Sequence, residues 1–202
     1  MPIREGSPKA CFDRFVNHVQ DLVARILDPT LFVSHKIPRG AGLHCDIQLG
    51  AFGDRAVKLK SNTHGKVYLY MAQDLVAVQI GSQYELRTRK YWYKIYEREP
   101  ELESEPLFRW EYAPGECGSH CRHHFHVGKG AAQKSVCLPL GSSEVDLNKI
   151  HIPTRYVLIE DIMRFLIADL GVVPVTDTWE PLLVESEQVF YNKYSSKTSL
   201  PP

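Results

Sequence analysis

The chemistry-bearing residues are concentrated in one run, Cys117-Gly118-Ser119-His120-Cys121-Arg122-His123-His124-Phe125-His126-Val127, which holds four of the chain's nine histidines. Read as a strand over 120–127, the run alternates its side chains between two faces. His120, Arg122, His124 and His126 then share one face, and Cys121, His123, Phe125 and Val127 the other. Phe125 and Val127 mark the second face as the buried one. A row of imidazoles interrupted by a guanidinium is costly to bury, so the first face reads as a site.

Two chemistries suit it. Imidazole titrates near neutrality, so one histidine can take a proton while another gives one. With Arg122 gripping a phosphate through two hydrogen bonds, and Glu111 nearby, that is equipment for cleaving a phosphodiester without metal. In the other, His124-x-His126 places two imidazoles on one side of a strand, where they share a divalent cation, and His120, Glu111 or a cysteine completes the shell. Cys117 and Cys121, with three residues between them, and the histidines also permit a zinc knuckle, although no second ligand pair accompanies them. The cofactor expectation is therefore none, or a divalent metal such as zinc. The plain alternative is a polar edge strand with no role in chemistry.

A second run, Tyr84–Tyr96, mixes bases and aromatics. Strict alternation puts Arg87, Arg89, Tyr91 and Tyr93 on one face and Lys90, Trp92 and Lys94 on the other. Cations meet phosphates and aromatic faces stack on bases, so Arg87, Arg89, Lys90, Tyr91, Tyr93 and Lys94 are candidates for contacting single-stranded nucleic acid. The competing explanation is structural, since Tyr and Trp favour strands and long basic side chains cover sheet surfaces. Gly40-Ala41-Gly42 is too short for a phosphate loop, and no nucleophile elbow, His-Glu-x-x-His or kinase signature is present.

These residues sit in a chain of 202 residues with 24 basic and 24 acidic side chains. The zero net charge conceals an asymmetry: residues 1–100 carry fifteen Lys/Arg against ten Asp/Glu, and residues 101–202 nine against fourteen. A basic half can face a polyanion, or the two halves simply neutralise each other. A composition 44% hydrophobic and 24% charged is that of a globular domain and excludes disorder and collagen. No apolar run approaches the roughly 20 residues of a membrane span, and Met1–Lys9 lacks a secretory pattern. Five cysteines, an odd number, suit a reducing cytosol, so the expected location is cytoplasmic. Cys11, Cys45 and Cys137 read as small buried residues.

The elements that must position the site are legible by period. Phe12, Phe15, Val16, Val19, Leu22, Val23 and Ile26 form one helical stripe over 10–27, stopped by Asp28-Pro29. From Leu31 to Val127 the pattern turns to short β-rich runs: 31–35, 43–49, 56–60, 66–70, 75–80, 84–96, 107–112 and 120–127. Their short connections favour antiparallel pairing. A second helix is expected over 158–170 and a third around Trp179–Phe190. The fold class is α+β, a mostly antiparallel sheet flanked by an N-terminal helix and one or two C-terminal helices. Residues 1–193 are expected to form a single domain, and 194–202 a disordered tail.

The run Leu107-Phe108-Arg109-Trp110-Glu111-Tyr112-Ala113-Pro114, a loop, and then His123-His124-Phe125-His126-Val127 resembles the TumE-like toxins of prokaryotic toxin–antitoxin pairs. That family's pattern is Arg-(Trp/Tyr)-acidic-x-Ala-Pro, a histidine-rich loop and a His-x-His strand, followed by a helix like Ile159–Leu170. The aromatic strand Tyr91–Tyr96 also fits, and the similarity spans roughly residues 84–172. Gly115–Ser119 stands where the family has a proline- and histidine-rich loop. The resemblance implies a small intracellular toxin, a nuclease held in check by an antitoxin or other protein partner. The functional expectation is thus an endonuclease, RNA first, acting through the His/Arg face. The alternatives are a nucleic-acid or nucleotide binding module, or a zinc-stabilised interaction protein without catalysis.

Overall fold

A computed structural model of the chain describes residues 3–37, 43–53, 56–101, 104–114, 123–128, 137–140, 143–146 and 152–194. The first helix, α1, runs over Pro8–Ile26. Its start is set by Ser7, whose Oγ accepts a hydrogen bond from the Ala10 amide at 3.2 Å, with Pro8 in the first turn where no amide is needed. Its apolar stripe, Phe12, Phe15, Val19, Leu22, Val23 and Ile26, is buried as the spacing predicts. Two further helices, α2 (Ile159–Ala168) and α3 (Trp179–Tyr194), follow the strands. Tyr194, expected to open the tail, is the last residue of α3, and 195–202 lie outside the described residues. Among the described residues no helix is long and apolar enough to cross a membrane.

The strands are β1 (Arg4–Glu5), β2 (Val33–Lys36), β3 (His44–Leu49), β4 (Val57–Ser61), β5 (Gly65–Ile80), β6 (Gln83–Tyr96), β7 (Phe108–Tyr112), β8 (His123–Val127), β9 (Cys137–Leu140), β10 (Ser143–Asp146) and β11 (Ile152–Pro153). One sheet has the order β11-β8-β7-β6-β5-β3-β2, with β4 on β5 and β1 on β6; β9 and β10 form a separate hairpin. All these strand pairs are antiparallel, as the short connections imply. The fold is α+β. Where the sequence suggests two strands over 66–80, the structure has the single strand β5.

The register sorts the side chains into two faces. Leu69, Met71 and Gln73 of β5 stand opposite Ile95, Tyr93 and Tyr91 of β6, which stand opposite Phe108, Trp110 and Tyr112 of β7. Val127, Phe125 and His123 of β8 complete these rows. This face lies under the helices: Phe165 of α2 meets the rings of Phe108 and Trp110 edge-on at 5.2 and 5.3 Å. The core runs from these rows into the stripe of α1.

The other face carries two further rows. Tyr70, Lys94, Arg109 and His126 follow one another across four strands, as do Ala72, Trp92, Glu111 and His124. A β-bulge interrupts the pairing of β5 with β6: Asp74 faces Lys90 but Leu75 faces Thr88, so Arg89 is an extra residue. It inverts the parity of β6. The expected grouping of Arg87 with Tyr91 and Tyr93 therefore fails, because Arg87 lies opposite in face to buried Leu86 while both tyrosines are core residues.

Candidate active site

Three side chains converge on the non-helical face. Glu111 of β7 lies directly opposite His124 of β8, and Arg109 directly opposite His126. The period of two does the positioning: Arg109-x-Glu111 and His124-x-His126 each put two groups on one face, and antiparallel pairing sets them side by side. Glu111 Oε1 is 2.7 Å from Nε2 of His124 and 3.7 Å from Nε2 of His126. Both imidazoles thus turn the same nitrogen toward one carboxylate oxygen, their rings nearly perpendicular with centroids 4.8 Å apart. Arg109 Nε stands 3.2 Å from the other oxygen as an ion pair.

The histidine face is the surprise. Phe125 and Val127 do face the helices, but His124 and His126 are the more deeply buried pair, at 0% and 5% exposure. His123, Phe125 and Val127, on the helical side, are only partly buried. Burial alone would raise the pKa of Glu111, but the imidazole of His126, the charge of Arg109 and the imidazole of His124 override it and hold the carboxyl at about 2. It is an anion at any physiological pH.

One carboxylate oxygen and two imidazole nitrogens within 4.8 Å of one another can hold a metal ion. Three protein ligands of this kind leave a position open for water or substrate, the pattern of catalytic rather than structural zinc sites. Other first-row divalent ions accept the same donors.

His123, on the helical side, has a different setting. Its ring stacks on Tyr112 at 4.2 Å, and its Nδ1 lies 3.1 Å from the Tyr91 hydroxyl, which also accepts from the Val157 amide. It belongs to the packing of β6, β7 and β8 against the segment before α2.

Of the other candidates, His120, Arg122, Cys117 and Cys121 lie outside the described residues. The basic run divides. Arg87 pairs with Glu85 at 3.1 Å, and Arg89 with Asp74 at 2.6 Å. Tyr91 and Tyr93 are 0% and 1% exposed, so no base can stack on them where they stand. Lys94 lies over the Tyr70 ring at 5.1 Å and Lys90 over Trp92 at 6.0 Å, on the face of the three converging side chains. Cys11 and Cys45 are buried free thiols, while the side chain of Cys137 is outside what is described.

Sequence reasoning missed Arg109. The signal was present, since Arg109 alternates with Glu111 as His124 does with His126, but it becomes meaningful only once β7 is known to pair with β8. No protein-family model matches the chain, and no curated protein or solved structure matches it.

Proposed function

We propose that the protein is a metal-dependent phosphodiester hydrolase, RNA first, in which Glu111, His124 and His126 hold a divalent ion, zinc before others. The observation that supports this best is the convergence of both Nε2 atoms on one Glu111 oxygen, in two cross-strand rows that also supply Arg109, Lys94 and Trp92. A bound ion polarises a phosphoryl oxygen or lowers the pKa of a bound water toward neutrality. Arg109 and Lys94, cross-strand neighbours, would meet the charge that develops on the phosphate oxygens. Trp92, opposite Glu111, offers an aromatic surface beside the reacting group. A toxin of the TumE-like kind, restrained by a protein partner, is a setting in which such an activity makes sense.

The test is labelled RNA and single-stranded DNA incubated with protein purified without a histidine tag, with and without EDTA, alongside metal analysis. We expect about one divalent ion per chain, RNA cleavage that EDTA stops, and recovery when the ion returns. His124→Ala, His126→Ala and Glu111→Gln should each lower the rate at least about a hundredfold while remaining folded, and His123→Ala should lower stability and spare the chemistry. Cleavage that survives EDTA would move the same residues to acid–base catalysis without metal. Metal without cleavage would leave a zinc-stabilised binding protein.

A further inference from the structure

Next to the converging side chains, across β6, the same face opens into a cavity of about 500 Å³. Its floor is Ala72, and its lining includes Tyr70, Trp92, Phe52, Asp46 and Lys36. Ala72 belongs to the row that continues through Trp92 and Glu111 to His124. With strands about 4.8 Å apart, the floor lies two strands, roughly 10 Å, from Glu111, comparable with the length of one nucleotide.

Phe52 is the informative wall. It is 44% exposed, an unfavourable place for a phenyl ring, yet the turn that carries it is fastened from beneath. Gln48, itself 4% exposed, donates through Nε2 to the carbonyl of Ala51 at 2.9 Å and to that of Gly53, and its Oε1 accepts from the Gly53 amide at 3.3 Å. Gly50 and Gly53, with φ of 79° and 123°, supply the conformations the turn needs. A buried amide thus spends both of its ends on holding an aromatic ring at the rim of a cavity.

We infer that this cavity receives a nucleobase of single-stranded RNA, held among Phe52, Trp92 and Tyr70, with the adjoining phosphate passing Lys94 and Arg109 toward Glu111, His124 and His126. The volume lies within the range of small-ligand sites. Aromatic walls flanked by cations, with Lys94 over Tyr70 and Lys90 over Trp92, combine base stacking with charge, as single-strand binding requires. Lys36 and Asp46, opposite each other on β2 and β3, add a donor and an acceptor for the edge of the ring. The inference rests on the hydrolase reading for the identity of the polymer.

Binding measured in EDTA separates the two. The probes are a short single-stranded oligoribonucleotide and the same sugar–phosphate backbone without bases, titrated against the full chain, Phe52→Ala, Phe52→Tyr and Ala72→Leu. A stacked base is worth about 1–3 kcal/mol, so Phe52→Ala should weaken the oligoribonucleotide roughly fivefold to more than a hundredfold. Ala72→Leu, which fills the floor, should do the same, and Phe52→Tyr should bind like the native chain. The abasic backbone should bind all four proteins equally weakly. Should Ala72→Leu fail to fold, the Phe52 pair decides. Unchanged affinity in Phe52→Ala, or an abasic backbone bound as tightly as RNA, overturns the inference even if EDTA-sensitive cleavage stands. Base-dependent binding without cleavage keeps the cavity assignment and removes the hydrolase.

Discussion

Glu160 is a carboxyl group with 0% exposure between α2 and α3. Its Oε1 accepts from the Ser186 hydroxyl, whose oxygen is 2.8 Å from Nε2 of His18 on α1, so three helices meet through one polar relay. Burial pushes its pKa from 4.5 to about 7, against the Ser186 hydrogen bond and with help from the charges of Glu187 and Asp161. A carboxyl that holds its proton more tightly when folded stabilises the fold below its unfolded pKa, and that contribution is lost as pH rises toward the folded value. At about 1.4 kcal/mol per pH unit, the interval from 4.5 to about 7 corresponds to roughly 3 kcal/mol. Urea midpoints between pH 4.5 and 7.5 should fall for the native chain and stay level for Glu160→Gln, which keeps the shape without the proton. Identical curves would show that Glu160 does not control this slope. Residues of this kind are hidden from sequence reading, because His18 and Ser186 lie 168 positions apart. The two histidines were visible as a pair because a strand's period of two needs no long-range knowledge, whereas their convergence with Glu111 depends on the pairing of β7 with β8.

At the level of elements, Gly128 sets how closely β8 approaches the chain before β7. Its amide donates to the Leu107 carbonyl at 2.9 Å, and a Cβ placed there would stand 1.7 Å from the carbonyl oxygen of Pro106. Backbone must move to admit one methyl group. Gly128→Ala should therefore cost about 2–3 kcal/mol in melting experiments and, if the proposed ion is bound, weaken its affinity at least about tenfold by displacing His126 from Glu111. Normal stability would mean that Pro106 yields freely. The helices were legible from their stripes, and α1 falls within two residues of its expected limits. Strand β5 was misread as two because its middle breaks the apolar pattern with Gln73. That residue is buried, and its Nε2 donates to the Tyr93 hydroxyl at 2.6 Å. A buried glutamine bonded across strands looks, in sequence, like a turn.

Over the whole molecule, the sheet separates labour: one face packs helices and the other carries the groups suited to chemistry. The excess of base in residues 1–100 is therefore distributed unequally in effect. Arg87 and Arg89 are paired with Glu85 and Asp74, whereas Lys90 and Lys94 lie over aromatic rings beside the candidate site. For single strands each phosphate contact contributes about 0.7 to the slope of log affinity against log salt. Lys90→Gln with Lys94→Gln should lower the slope for RNA by about 1.4, and Arg87→Ala with Arg89→Ala should change it less. The reverse order would return phosphate contact to the two arginines. Charge totals along the chain could not reveal this division, which depends on where the fold places each cation relative to the candidate site.

The bulge at Arg89 has a consequence for how this chain tolerates change in length. The position supplies one step of spacing rather than a chemical group. Arg89→Ala keeps the count, surrendering only an exposed ion pair worth a fraction of a kcal/mol to about 1 kcal/mol, and should fold. Deleting Arg89 would remove the extra residue itself and leave plain alternation, with Leu86, Thr88, Tyr91 and Tyr93 still on one face. A deletion in the regular stretches on either side would instead put one part of β6 out of phase with its neighbours. A library of single-codon deletions across β6, scored by soluble expression, should show tolerance at this codon beside sharp intolerance in the regular stretches on either side of it.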